Sequence, residues 1–126
     1  MQLSIVSDDG AVVRVKVKGQ VTQTELTSSN DPLRALLAGD YSRRVLLDLS
    51  EANFLDSSGV GWLLSSHQQF RSNGGALAVH SVHANARKVL KVLKMELVLH
   101  IFENEASALD FVRAFQSSSG EAGAAK

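Results

Sequence analysis

The segment Val45-Leu46-Leu47-Asp48-Leu49 constrains the fold most strongly, because four of its five residues are large and aliphatic. A nearly continuous apolar run of this length is typical of a strand that helices cover on both faces of a sheet. Such strands belong to α/β folds, in which strands and helices alternate along the chain. We therefore expect this segment to form the centre of a sheet.

The sequence on either side of this segment shows the expected alternation. Residues 3–6 and 11–17 predict two strands of a hairpin around the turn at residues 7–10. Asp31 followed by Pro32 predicts a short helix that Gly39 ends. Further helices are predicted over residues 57–72 and 85–94 and after Asn104, and further strands over residues 77–80 and 97–102. The prediction is one α/β domain with a mixed β-sheet flanked by about four α-helices.

Length and composition set the domain organisation. The chain has 126 residues, of which 44% are hydrophobic, and this is enough for one ordinary core and too little for two. The end of the chain is built from Ser, Gly, Ala and Glu without periodic apolar positions, which is typical of a disordered tail. We predict a domain over residues 1–116 and a disordered tail over residues 117–126.

Charge and residue usage exclude several classes of function. Thirteen basic residues balance thirteen acidic ones, so no overall field favours nucleic acid. The absence of cysteine excludes a thiol nucleophile, a disulfide framework and a cysteine-ligated metal. No apolar run is long enough for a membrane span, and the first residues do not resemble a secretory signal. We expect a cytoplasmic protein that neither enters a membrane nor binds nucleic acid.

The most informative motif is Asp56-Ser57-Ser58-Gly59-Val60-Gly61, which stands at the predicted start of the helix over residues 57–72. The free N–H groups and the dipole at such a helix end favour an anion, so Ser57 is placed to carry a phosphate. Gly59 and Gly61 would leave room for another protein surface. The alternative is that Asp56 or Ser57 only caps the helix.

Trp62 follows directly and points away from the main apolar face of this helix in a helical projection. It either anchors a partner as an exposed aromatic or packs against the loop over residues 20–30.

Other candidate residues give weaker signals. The four histidines are scattered over different predicted elements, so we expect no metal site and no cofactor. A hydrolase is disfavoured because neither serine is flanked by the glycines of a nucleophile elbow. Asp48 is expected to bind a loop rather than to take part in chemistry.

The motif Asp-Ser-Ser-Gly at residues 56–59, after the apolar strand and before Gly74-Gly75, resembles STAS domains of the anti-sigma factor antagonist type. The resemblance covers nearly the whole ordered chain and implies a non-enzymatic bacterial regulator of transcription. In that family an anti-sigma factor serine/threonine kinase phosphorylates a serine at the head of this helix. A phosphatase returns this serine to its unphosphorylated form. The alignment places the phosphorylated serine at Ser57, with Ser58 as the alternative.

The resemblance implies a partner-binding surface at the head of the helix, formed by Asp56, Ser57, Ser58, Gly59, Gly61 and Trp62. It implies that the unphosphorylated protein binds the kinase and that phosphorylation releases it. Two alternatives stay open: a constitutive STAS scaffold or transport-complex subunit without a switch, and a sensor that binds a small ligand or nucleotide at the same helix end.

Overall fold

The computed structural model describes residues 1–23, 26 and 31–115. The predicted tail over residues 117–126 lies outside the described residues, as does most of the polar segment before Asp31. The elements in chain order are the strands and helices β1 (Gln2–Asp8), β2 (Val12–Val21), α1 (Pro32–Leu36), β3 (Arg44–Leu55), α2 (Ser57–Ser72), β4 (Ala76–His80), α3 (Ala84–Val92), a 3-10 turn (Met95–Leu97), β5 (His100–Phe102) and α4 (Glu105–Ala114).

The five strands form one mixed sheet in the order β1-β2-β3-β4-β5. β1 and β2 pair as the predicted antiparallel hairpin, whereas β3, β4 and β5 add in parallel. β3 therefore lies at the centre of the sheet, and the prediction for residues 45–49 is confirmed. The strand is longer than predicted, because it continues to Leu55 with Leu49, Ala52 and Leu55 buried and the residues between them exposed.

Helices cover both faces of this sheet, as the apolar run predicted. Side chains that alternate along the strands, such as Val45 and Leu47, pack with α1, α2 and α3 in the larger core. Leu46 points to the other face, where it packs with Ala108 and Val112 of α4. The α/β class, the mixed sheet and the four flanking α-helices are thus confirmed.

The chain between α3 and β5 differs from the prediction. Residues 97–102 were expected to form one strand, but only His100–Phe102 pairs with β4. Lys94 adopts a left-handed conformation with φ of 56°, and the 3-10 turn at Met95–Leu97 follows it. The helix predicted over residues 85–94 already ends at Val92, and Leu93 after it is 45% exposed.

The sheet topology places the head of α2 at one edge of the sheet. Parallel strands end at a common edge, and α2 begins two residues after β3 ends there. β2 ends beside β3, since Val21 is paired with Leu55, and the Asp56 N–H donates to the Val21 carbonyl oxygen at 3.3 Å. The ends of two neighbouring strands therefore hold the first turn of α2.

Candidate functional site

Asp56 is the N-cap of α2. Its backbone is extended, and its Oδ1 accepts a hydrogen bond from the Gly59 N–H at 2.9 Å. Its Oδ2 accepts a second hydrogen bond from the Gln23 N–H at 3.1 Å. One carboxylate thus satisfies an otherwise free N–H of the helix and fixes the loop that follows β2.

Ser57 is the first residue of α2 and is exposed, while Ser58 is half-buried. The cap is supplied by Asp56, and within residues 1–23, 26 and 31–115 the Ser57 hydroxyl makes no hydrogen bond. Of the two capping alternatives, the structure therefore selects Asp56. The Ser57 hydroxyl faces solvent at the positive end of a helix of 16 residues.

The two glycines of the motif have different surroundings. A Cβ on Gly59 would come within 3.0 Å of the Val21 carbonyl oxygen and of the Leu55 side chain. Gly59 is buried, so it lets the helix pack on the strand ends and does not face a partner, contrary to the expectation for this residue. A Cβ on Gly61 would have no atom within 4 Å, and this exposed residue keeps the expected open surface.

Trp62 does not form an exposed anchor. Its side chain is only 8% exposed, and its Nε1–H donates a hydrogen bond to Asp31 Oδ1 at 3.0 Å. The same oxygen accepts from the Leu33 N–H, and the Tyr41 hydroxyl donates to Asp31 Oδ2 at 3.4 Å. The helical projection left the exposure of the indole open, and its hydrogen bond to Asp31, the N-cap of α1, accounts for its burial. Of the two alternatives for Trp62, the exposed anchor is therefore wrong, and most of the loop in the other alternative lies outside the described residues.

A groove of about 500 Å³ lies between α1 and α2 beside the candidate site. Ser58 and Gly61 line its wall on α2, and Arg34 lines its wall on α1. The groove begins one residue from Ser57, so the exposed serine and an open concave surface are contiguous. No sequence pattern indicates this groove, since it depends on where α1 lies relative to α2.

The remaining candidate residues have structural roles. Asp48 Oδ1 accepts a hydrogen bond from the Ser50 N–H at 2.8 Å within β3, so Asp48 bonds its own strand and not a loop as expected. His83 caps α3 by accepting from the Asn85 N–H. His80 is 2% exposed, and burial lowers its pKa despite the opposing charges of Asp48 and Glu105.

Two further features of the described ranges bear on function. No three His, Asp or Glu side chains among them lie close enough to hold a metal ion. None of the described helices is long and apolar enough to cross a bilayer.

Comparison with known proteins places this architecture in a family. The STAS domain model matches residues 3–108. The chain belongs to the STAS domain family. An anti-sigma F factor antagonist from Paenibacillus polymyxa is 31% identical to it over 102 residues, which are 78% of this chain and 84% of that protein. The resemblance to the anti-sigma factor antagonist type is thereby confirmed.

Solved structures of STAS proteins share the fold at lower sequence identity. An anti-sigma factor antagonist from Mycobacterium paratuberculosis superposes with a TM-score of 0.72 at 19% identity, over 89% of this chain and 95% of that one. The antagonist SpoIIAA in its unphosphorylated form gives a TM-score of 0.63 at 20% identity, over 90% and 96% of the two chains. The Bacillus SpoIIAA structure in the phosphorylated form gives 0.54 at 20% identity, over 89% and 98%.

Proposed function

We propose that this STAS protein is an anti-sigma factor antagonist that switches partners through Ser57. The unphosphorylated protein binds an anti-sigma factor serine/threonine kinase through the head of α2. Phosphorylation of Ser57 releases the kinase, and a phosphatase restores the binding form. The protein itself is not an enzyme in this scheme.

The observation that carries the proposal is that Asp56, and not Ser57, caps α2. Asp56 caps the helix, so the Ser57 hydroxyl is exposed and has no structural task among the described contacts. Ser58 is half-buried in the wall of the groove, which favours Ser57 as the acceptor. The relative from Paenibacillus polymyxa, named as an anti-sigma F factor antagonist, supports the partner class.

Electrostatics explains how one phosphate would end binding without unfolding the domain. A phosphoserine adds about −1.5 to −2 charges at neutral pH. At the start of α2 the helix dipole stabilises such a charge by about 0.3–1 kcal/mol. Burying the same charge in an interface without a cation would cost several kcal/mol, and about 1.4 kcal/mol is tenfold in affinity. The Asp56 carboxylate adds to the local negative charge, so release by more than tenfold is expected.

The first experiment is mass spectrometry of the protein isolated from its native cells, compared with Ser57→Ala and Ser58→Ala variants expressed in the same way. Trypsin cleaves after Arg44 and Arg71, and the peptide between them contains Ser50, Ser57, Ser58, Ser65 and Ser66. Fragment ions that separate Ser57 from Ser58 are therefore required. We expect one phosphate on Ser57 that is lost in Ser57→Ala and kept in Ser58→Ala.

Kinase binding tests the second half of the proposal. The unphosphorylated protein serves as bait, with Ser57→Glu as the charged variant and Ser57→Ala as the matched neutral control. We expect Ser57→Ala to retain a kinase that Ser57→Glu releases. The absence of phosphate under all growth conditions, or a complex that Ser57→Glu leaves intact, would contradict the switch and favour a constitutive scaffold.

A further inference from the structure

A second concave site lies at the other end of α2, remote from Ser57. It is a cavity of about 260 Å³ between the last turns of α2, the starts of β4 and β5, and the end of α4. His67 and Arg71 line it from α2, and His100 lines it from β5. Ser57 is ten residues before His67 on the same helix, which corresponds to about 15 Å along the helix axis.

The polar residues of this cavity are basic, and among the described residues they have no hydrogen-bond or ion-pair partner. His67 is only 8% exposed, and its ring lies 5.3 Å from the His100 ring, centroid to centroid. Within the part of the chain that the structure describes, neither ring makes a hydrogen bond and Arg71 forms no ion pair. No described carboxylate lines the cavity. A concave site whose polar lining consists of one arginine and two histidine side chains suits a small anion.

The other walls are apolar and set the size of the ligand. Phe70, Leu77, Val98 and Phe115 form most of the remaining surface. At about 30 Å³ for each water-sized group, the cavity holds roughly nine non-hydrogen atoms. We propose that it binds a small monocarboxylate with an apolar body, whose carboxylate lies against His67, Arg71 and His100.

The charge state of the site favours a single negative charge. Burial and the nearby Arg71 lower the pKa of both His67 and His100, so both rings are neutral N–H donors at neutral pH. Arg71 is then the one permanent cation among the lining residues. A carboxylate matches this charge, whereas a doubly charged phosphate would leave one charge uncompensated beside apolar walls.

The test uses benzoate as the probe and benzyl alcohol as its neutral counterpart of similar shape. We would titrate each into the full-length protein and follow backbone and histidine resonances by NMR. Benzoate is expected to shift the resonances of His67, Arg71 and His100 saturably, with a dissociation constant on the order of 1 mM, as suits so small a ligand. Benzyl alcohol is expected to bind at least about tenfold more weakly, since it lacks the charge.

Variants test whether benzoate binds in this cavity or is attracted by any exposed positive charge. Arg71 is exposed, so Arg71→Gln is expected to fold normally and to weaken benzoate binding at least about tenfold. Arg71→Lys should recover part of the affinity. Lys88→Gln removes an exposed cation of α3 outside the cavity and is the matched control, with affinity unchanged.

Three results would overturn the proposal: no shift at the cavity residues, equal binding of benzyl alcohol, or equal binding by Arg71→Gln. None of them bears on Ser57, because this site and the switch rest on different residues.

Discussion

Gly59→Ala and Gly61→Ala are the same substitution, two residues apart in one helix, and we expect them to change stability in opposite directions. The added methyl group on Gly59 would come within 3.0 Å of the Val21 carbonyl oxygen and of Leu55. The carbonyl is backbone and also accepts the Asp56 N–H, so it cannot move without opening the junction between β2 and α2. The methyl group on Gly61 would meet nothing within 4 Å.

The magnitudes follow from two opposing effects. Alanine in place of glycine inside a helix gains up to about 1 kcal/mol, chiefly through the lower conformational entropy of the unfolded chain. Overpacking typically costs about 1–3 kcal/mol, and a clash with backbone lies at the upper end or beyond. We expect Gly59→Ala to lower the free energy of unfolding by about 1–3 kcal/mol net, and Gly61→Ala to raise it by about 0.5–1 kcal/mol.

Urea denaturation followed by circular dichroism measures both values, and thermal melts check them. For a domain of this size, each kcal/mol corresponds to roughly 4 °C in Tm. Gly59→Ala is therefore expected to melt about 4–12 °C lower than the wild type, and Gly61→Ala about 2–4 °C higher. A Gly59→Ala variant as stable as the wild type, or a destabilised Gly61→Ala variant, would refute the reasoning about this junction.

Three further predictions concern the cap, the indole and the histidines. Asp56→Ala should lower the free energy of unfolding by about 1–2 kcal/mol in urea denaturation, while Ser57→Ala changes it by less than about 0.5 kcal/mol. Equal losses in the two variants would contradict the assignment of the cap to Asp56. Trp62→Phe should cost about 1.5–3 kcal/mol in the same assay, because it removes a hydrogen bond to the Asp31 carboxylate; no loss would mean that the indole is not bonded there. Burial lowers the pKa of His80, so the unfolded chain takes up a proton that the folded protein resists. Stability should therefore be complete above about pH 7 and fall as the pH drops below it, by up to about 1.4 kcal/mol per pH unit for this histidine. His80→Gln should reduce that slope.

The elements predicted correctly are those whose local residue patterns indicate the same structure that the packing of the fold requires. Asp31 and Pro32 start α1 as expected, because capping and the fixed backbone of proline are local properties. The bounds of α2, Ser57–Ser72, match the prediction, because Asp56 caps the helix and glycines follow its end. The apolar run at residues 45–49 placed β3 correctly, since only a strand covered on both faces contains so few polar positions.

The errors concern features that depend on packing between distant segments. The burial of Trp62 could not be read from a helical projection, since Asp31, which accepts the hydrogen bond of the indole, is about 30 residues earlier in the chain. The left-handed turn at Lys94 has no glycine or asparagine to signal it, so the prediction merged a 3-10 turn with β5. His67 and His100 form a pair only because α2 and β5 pack together.

The residues of the motif at positions 56–59 have different roles in the structure. In the sequence, Asp56, Ser57 and Gly59 formed one functional candidate, whereas in the structure each has a separate task. Asp56 holds the helix start, Gly59 permits the close approach to Val21, and only Ser57 is exposed without a structural bond among the described residues. Two of the three therefore keep the helix end rigid, so a phosphate on the third would change the charge of the surface and leave the backbone in place. This is the property that a reversible switch at an interface requires.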